Sequence, residues 1–402
     1  MSVFWGFAIF WSFFSRIYRR TRRLVAVLMR RHRRCNACLI TGGGRQGAWF
    51  LLLWRLCYMV DPRTVLTSPN WLPHSFDMAS GSLQFINIAR ERLSQPAFLA
   101  DAAGEAGIES AAIPVAQMTG GESEIAPIHF VFHTAFCRST LLVRALEQPG
   151  ICSGLSEPGI LANLAGAHLA NARNPAAGAS LAQREMLTGI VRLLARPWGA
   201  GEAVVIKPTN HANVLIPALM DAAPQARAVL VTNALPSFLA AVARKGMMGR
   251  RWGRLLYLEM MSYAGMDLGM DGREQFAMTD LQACALAWFL NQRYFAALQD
   301  KFSDRVRVLD GDRFADYPSQ TLMAVGELMN LAITGEMADA IEQSAVFSRD
   351  AKTGEDFAEK SARDAVASHS AVVEDEVAKV TEWIGMIAQQ AGLDIPVRHN
   401  LF

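Results

Sequence analysis

The sequence predicts an α/β fold with a mostly parallel central sheet covered by helices. Three observations carry this. Four short apolar runs, residues 128–134 (IHFVFHT), 203–208 (AVVIKP), 227–233 (RAVLVTN) and 306–311 (VRVLDG), lack the polar alternation of a half-exposed strand. Runs of that kind fit strands buried on both faces. Helical patterns separate all four, the order expected of a parallel sheet with crossover helices. Of the 402 residues, 51% are hydrophobic and 19% charged, which suffices for a large core.

Residues 1–75 read as an extension. An apolar run at 3–14 is shorter than the roughly twenty residues of a membrane span. A basic stretch (16–34) and a second apolar run (48–60), interrupted by Arg55, follow it. Residues 1–60 hold eleven arginines and no acidic residue; taking those eleven charges from the total of +2 leaves the remaining 342 residues at −9. Three readings stand. The segment contacts a membrane surface or acts as a signal anchor, or it targets an organelle. Alternatively it has no fold and lies outside the working protein, with Met59 or Met78 as later starts. Six scattered cysteines (35, 38, 57, 137, 152, 284) make no disulfide framework, so a reducing compartment is expected. The expected location is cytoplasmic, with membrane association through residues 1–60 as the alternative.

Residues 76–402 read as a single α/β domain. A helical lead-in is expected over 76–124, on the patterns at 81–93 and 97–107. The core spans 125–330, and a basic loop and closing helix occupy 331–402. That helix, 367–393, carries an apolar stripe of Val372, Val373, Val377, Val380, Trp383, Ile384 and Ile387, read as packing.

Ligands of parallel sheets sit at the carboxyl ends of the strands, so the residues there are the candidates for chemistry. After the first run come Phe136, Cys137, Arg138, Ser139 and Thr140, and then a helix. A helix N-terminus attracts anions; Ser139 and Thr140 offer hydroxyls and Arg138 a bidentate donor. After the second run come Lys207, Thr209 and His211. After the third, Asn233 and Ser237 stand near a helix start and Arg244 and Lys245 follow it. The fourth leads into an acidic turn and a capped helix. Cys137 is either a reactive thiol at a helix start or a small packed residue.

This layout over about residues 125–330 resembles the sulfotransferases, which bind 3′-phosphoadenosine 5′-phosphosulfate in a P-loop-type, three-layer α/β fold. Residues 132–161 are similar to the family's first phosphate loop, helix and downstream acidic motif, with the spacing of the tyrosylprotein-type and bacterial members. Residues 227–246 look like the strand and helix that hold the 3′-phosphate, and 306–331 like the late strand, acidic turn and helix. Residues 347–360 are similar to the basic loop that closes over the nucleotide. The resemblance implies Ser139 and Thr140 as the hydroxyl pair. The base that deprotonates the acceptor would be Glu157 or, alternatively, His211, with Lys207 and Arg138 neutralising charge. Two departures accompany it. Arg138 falls at the loop glycine while Phe136 takes the basic position. The 3′-phosphate arginine and serine fall at Asn233 and near Ala241, leaving Arg244, Lys245, Arg349 and Lys352 as replacements.

Two function classes follow. One is sulfuryl transfer from 3′-phosphoadenosine 5′-phosphosulfate to a small-molecule or peptide hydroxyl, with no metal. The other is a non-catalytic relative that binds a nucleotide or a protein partner. A nucleotide-hydrolysing P-loop protein is disfavoured because no Gly-Lys-Ser/Thr loop occurs. The acidic body without a basic-aromatic patch disfavours nucleic acid as a partner.

Overall fold

The computed structural model describes residues 60–95, 97–118, 125–172, 181–356, 359, 370–396 and 399–402. The readings for residues 1–59, including Cys35, Cys38 and Cys57, lie outside these. Pro62–Phe402 forms one compact unit.

All four apolar runs are strands of one sheet. Numbered in chain order with an added fifth member, they are β4 (Ile128–His133), β5 (Cys152–Ser156), β6 (Ala203–Lys207), β7 (Ala228–Thr232) and β8 (Val306–Asp310). The spatial order is β5-β6-β4-β7-β8 and every pairing is parallel. Each residue of β4, β6 and β7 is buried, as expected for strands covered on both faces. On one face Val131, Val205, Val229, Val231 and Leu309 pack with Leu142 and Val143 of α2 (Ser139–Leu146) and Leu322 and Val325 of α9 (Pro318–Met329). The other face presents Phe130 and Phe132, stacked at 5.3 Å, together with Val204, Ile206 and Leu230. Here lies α8 (Asp280–Lys301), whose buried Gln292 donates to Thr232 Oγ1. Its start is fixed by a capping box: Thr279 Oγ1 accepts from Gln282 N–H and Gln282 Oε1 from Thr279 N–H.

Two expectations for the flanking regions are corrected. Residues 81–93 and 97–107 are not helices. Before the core lies a three-stranded antiparallel sheet, β1 (Trp71–Asp77), β2 (Ser82–Asn87) and β3 (Ser110–Pro114), preceded by α1 (Pro62–Thr67). The spacing of Leu83, Ile86 and Ile88 fits a helix. The aromatic and β-branched content, and the left-handed turn at Gly81, belong to a strand. The 97–107 stretch forms only a short 3₁₀ turn at Ala102–Gly104. Both α1 and the start of β1 fall inside the segment assigned to the extension.

This small sheet is tied to the core unit by Arg196, whose side chain is almost fully buried. Its guanidinium donates to Leu193 O (2.7 Å), Val65 O (2.8 Å) and Trp71 O, and burial pulls its pKa down to about 10. The guanidinium is thus held by three carbonyl dipoles joining α1, β1 and the end of α4 (Leu181–Leu194). The helices α3 (Gly159–Ala172), α5 (Ile216–Ala222), α6 (Leu235–Arg244), α7 (Gly246–Tyr263) and α10 (Ala371–Gln390) also belong to the unit, with shorter helices between them. In α10 the stripe buries Val380, Ile384 and Ile387, whereas Val372 is 76% exposed, so packing begins one turn later than the pattern implies. Among the described residues no helix is long and apolar enough to cross a membrane.

Candidate functional site

The five parallel strands end on one edge, and the polar residues singled out in the sequence follow them there. The loop after β4 is unusual in its backbone. Ala135, Phe136 and Arg138 all adopt left-handed conformations (φ 75°, 55° and 62°). Each costs on the order of 1 kcal/mol for a residue with a Cβ. Neighbours impose it. Ala135 N–H donates to His133 Nδ1 (3.1 Å), and Asn233 Nδ2 to Phe136 O (3.5 Å). The Phe136 ring packs edge-on to Trp252 at 5.3 Å and near Phe238 at 6.2 Å. A Cβ on Gly311 would meet Cys137 O at 2.3 Å, so only glycine lets the turn after β8 press on the loop. Turns of this kind aim successive N–H groups into a concavity that suits anions. This one runs into the start of α2, where no side chain caps the first turn.

Beside the loop stands a buried ion pair. Lys207, 1% exposed, donates to Glu157 Oε1, whose side chain is 17% exposed. Glu157 is also left-handed (φ 52°). Its N–H donates to Lys207 O (2.6 Å) and its carbonyl accepts from Ala100 N–H (3.1 Å), so the backbone is gripped from both sides. Burial lowers the Lys207 pKa, Glu157 opposes that, and Lys352 adds to it. His133, at the end of β4, is fully enclosed. Its Nε2 is 3.1 Å from Pro208 O and Nδ1 accepts from Ala135 N–H, which fixes a neutral Nε2–H tautomer. Burial, with Lys207 and Lys352 nearby, holds its pKa well below that of free imidazole.

The remaining predicted residues divide. Lys352 reaches this edge: its ammonium is 5.5 Å from the Phe98 ring and 5.9 Å from Phe136, while Lys207 is 5.4 Å from Phe98. A bridge between Arg349 and Asp356 closes the loop that carries Lys352, and Asp350 Oδ1 accepts from Lys352 N–H (3.0 Å) and Thr353 N–H (2.8 Å). Arg138 is drawn the other way. It donates to Asp312 Oδ1 (2.6 Å) and Gly311 O (3.2 Å), so it does not converge with Lys207 and Glu157. Ser139 and Thr140 open α2 and are buried. Cys137 belongs to the core cluster under the loop, and burial raises its thiol pKa. Asn233 is buried as a clamp, joined to Thr134, Phe136 and, through its carbonyl, Trp288 Nε1 (2.8 Å). Ser237 is exposed on the first turn of α6; Arg244 ends that helix, about 10 Å further along its axis.

His211 follows β6 on a 3₁₀ segment, Asn210–Leu215. Its Nδ1 lies 2.7 Å from Glu259 Oε2 of α7, with the imidazole 39% and Glu259 17% exposed. Burial lowers the His211 pKa, but the hydrogen bond and charge of Glu259, and then the charge of Glu157, outweigh it and leave a net rise. Glu259 and the rings Phe98 and Phe136 were not read from the sequence as site residues. Glu259 left one trace: it is the lone acid in the largely apolar stretch LLYLEMM (255–261). Phe98 left none.

A cavity of about 400 Å³ opens at the opposite, amino edge of the sheet, lined by His129, Ile151, Arg227 and Asn330 among others. His129 there accepts from Arg227 N–H (3.2 Å), and burial together with the Arg227 charge holds its pKa down at about 4. That cavity gathers no acid and no lysine, whereas the carboxyl edge does.

The fold and this edge define a mixed α/β protein, a five-stranded parallel sheet flanked by helices, with lysines and a strained loop at the strand ends. No family model and no curated protein matches the chain. Among solved structures, a sulfotransferase domain from the curacin biosynthetic pathway aligns over 68% of this chain and 100% of that chain, at 13% identity and a TM-score of 0.35. Overlap that loose defines neither family nor chemistry, which rest on the residues themselves.

Proposed function

We propose that the protein transfers a sulfuryl group from 3′-phosphoadenosine 5′-phosphosulfate to a hydroxyl of a small molecule or peptide. One observation carries the reading. A left-handed, uncapped loop-to-helix turn lies beside two lysines, Lys207 and Lys352, at the carboxyl edge of the parallel sheet, with Phe98 and Phe136 against the lysines. The loop amides and the start of α2 would hold the 5′-phosphate. Lys207 and Lys352 would neutralise the charge that builds on the leaving phosphate. Transfer of this kind needs positioning and charge more than covalent help, as in phosphoryl transfer. Phe98 and Phe136 offer flat apolar surfaces that suit a nucleobase or an aromatic acceptor.

The test is direct. Titration with adenosine 3′,5′-bisphosphate should show saturable binding, and labelled donor should pass its sulfate to a phenol or, slowly, to water. Absence of both sinks the proposal. A second reading, binding without turnover, is favoured by the pairing of Arg138 with Asp312, which removes a cation from the donor side. Bisphosphate binding with no sulfate release, even in long incubations, would select it.

A further inference from the structure

We infer that the cavity at the amino edge of the sheet is a second ligand site, which takes a small organic carboxylate with an apolar body. It stands apart from the sulfuryl-transfer reading.

Two donors carry it. His129 is only 5% exposed, yet its side chain lines the cavity. Its Nδ1 accepts from Arg227 N–H (3.2 Å), which puts the ring proton on Nε2. Nε2 has no hydrogen-bond partner among the described residues, and a buried polar group left open in this way calls for one. Arg227 supplies the charge. It lies in the same lining, and its field is felt at the His129 ring. Its Nη1 donates to Leu328 O (2.8 Å), while the residue as a whole is exposed, so the guanidinium keeps N–H groups for a ligand. A guanidinium beside a neutral ring N–H suits one negative charge.

The floor asks for an apolar body. Ile151, Ala203, Met329 and Leu331 form it, all in or against the core cluster between the sheet and α9. Val131 belongs to the same cluster, and His129, two residues before it on β4, shares its face of the sheet. A volume of about 400 Å³ is at the small end of the range for ligand pockets.

The surroundings tolerate an anion. No acidic residue lines the cavity. Glu202, between the lining residues Gly201 and Ala203, is consumed by Arg90, Ser153 Oγ (3.1 Å) and Gly150 N–H (2.7 Å). The carbonyl end of α9 points here and would repel a carboxylate. Its last carbonyls are covered: Gly326 O accepts from Leu331 N–H (2.8 Å), Glu327 O from Asn330 N–H (3.3 Å) and Leu328 O from Arg227.

The experiment uses the full-length chain, with benzoate, phenylacetate and butyrate as probes, and benzamide and inorganic phosphate as controls. Calorimetry reads affinity, and the NMR signals of the histidine imidazoles read location. The carboxylates should bind saturably and move the His129 signal, with benzamide and phosphate each about tenfold weaker or more. Arg227→Gln, a surface change, should weaken benzoate about tenfold, and Arg227→Lys should recover part of that. His129→Phe keeps a ring and removes the donor, and should lose a similar factor; if it does not fold, the Arg227 pair decides. No saturable carboxylate binding overturns the site. Equal affinity for benzamide, or unchanged affinity in Arg227→Gln, overturns the charge recognition. Phosphate as tight as benzoate overturns the apolar body. Adenosine 3′,5′-bisphosphate should leave benzoate bound, because His129 and His133 stand at opposite ends of β4, about 13 Å apart. Displacement would move the carboxylate to the carboxyl edge and overturn the inference. Benzoate binding as described in a chain that binds no bisphosphate sinks the sulfuryl-transfer reading and leaves this site standing.

Discussion

The two halves of the carboxyl edge use the same kinds of side chain differently. On the half formed by β5, β6 and β4, Glu157, Lys207, His133 and His211 crowd together, and the His211 Nε2 is left open. On the half formed by β7 and β8, Asn233 clamps the loop and Arg138 is bound to Asp312, so donors and acceptors consume one another. Function is written in what is left unpaired. A polar cluster bonded to itself is a hinge or a brace, and one that keeps free atoms is a site.

Four substitutions or conditions probe that contrast, in falling order of effect. Lys207→Met leaves Glu157 partly buried without its partner. It should cost roughly 3 kcal/mol in chemical denaturation and slow sulfate release by about 10³-fold. Unchanged activity would mean the crowded half is only structural.

Acid should strike β4 at both ends. His129 and His133 have folded pKa values below that of free imidazole, so the unfolded chain binds more protons as pH falls below about 6.5. Their contribution is full above that pH and is lost on acidification. His129 alone accounts for about 3 kcal/mol by pH 4, read as a falling midpoint in denaturation at pH 8, 6 and 4. A flat response would show that neither imidazole is neutral in the folded state.

Gly311→Ala forces a Cβ onto Cys137 O and should cost about 2 kcal/mol while weakening bisphosphate binding, since the loop must move. A stable variant with normal binding would show that the loop does not depend on the β8 turn. The smallest effect belongs to Asp312→Asn. Both partners of Arg138–Asp312 are about a third exposed, so stability should change by only about 0.5 kcal/mol. The freed arginine should tighten bisphosphate binding a few-fold by calorimetry. Weaker binding would show that the pair itself shapes the donor site.

What could be read in advance follows from range. The four strands were legible because a strand covered on both faces is a continuous apolar run. The rule that ligands sit at carboxyl ends then reached Lys207 and His211, whereas Glu157 entered only through the family resemblance. The strand Cys152–Ser156 was missed because CSGLS has no β-branched residue and carries a glycine. The strand Ser82–Asn87 was mistaken for a helix because six residues with apolar groups three apart fit both periods. The partners were beyond reach altogether. Arg138 meets Asp312 across 174 positions and His211 meets Glu259 across 48, and a local pattern contains neither distance. Arg138 was placed on the phosphate side by its neighbours in sequence, whereas its neighbour in space is a carboxylate.

The loop from Ala135 to Arg138 has a last consequence. Glycine would enter these left-handed conformations freely and leave them as easily. Alanine, phenylalanine and arginine are held there by packing and have few other shapes to visit. The loop is therefore set when the protein folds, and a ligand arriving at it has little ordering left to impose. Encounter then depends on shedding water from the amides and the lysines. A chain that builds such a turn without glycine meets its ordering cost at the moment of folding.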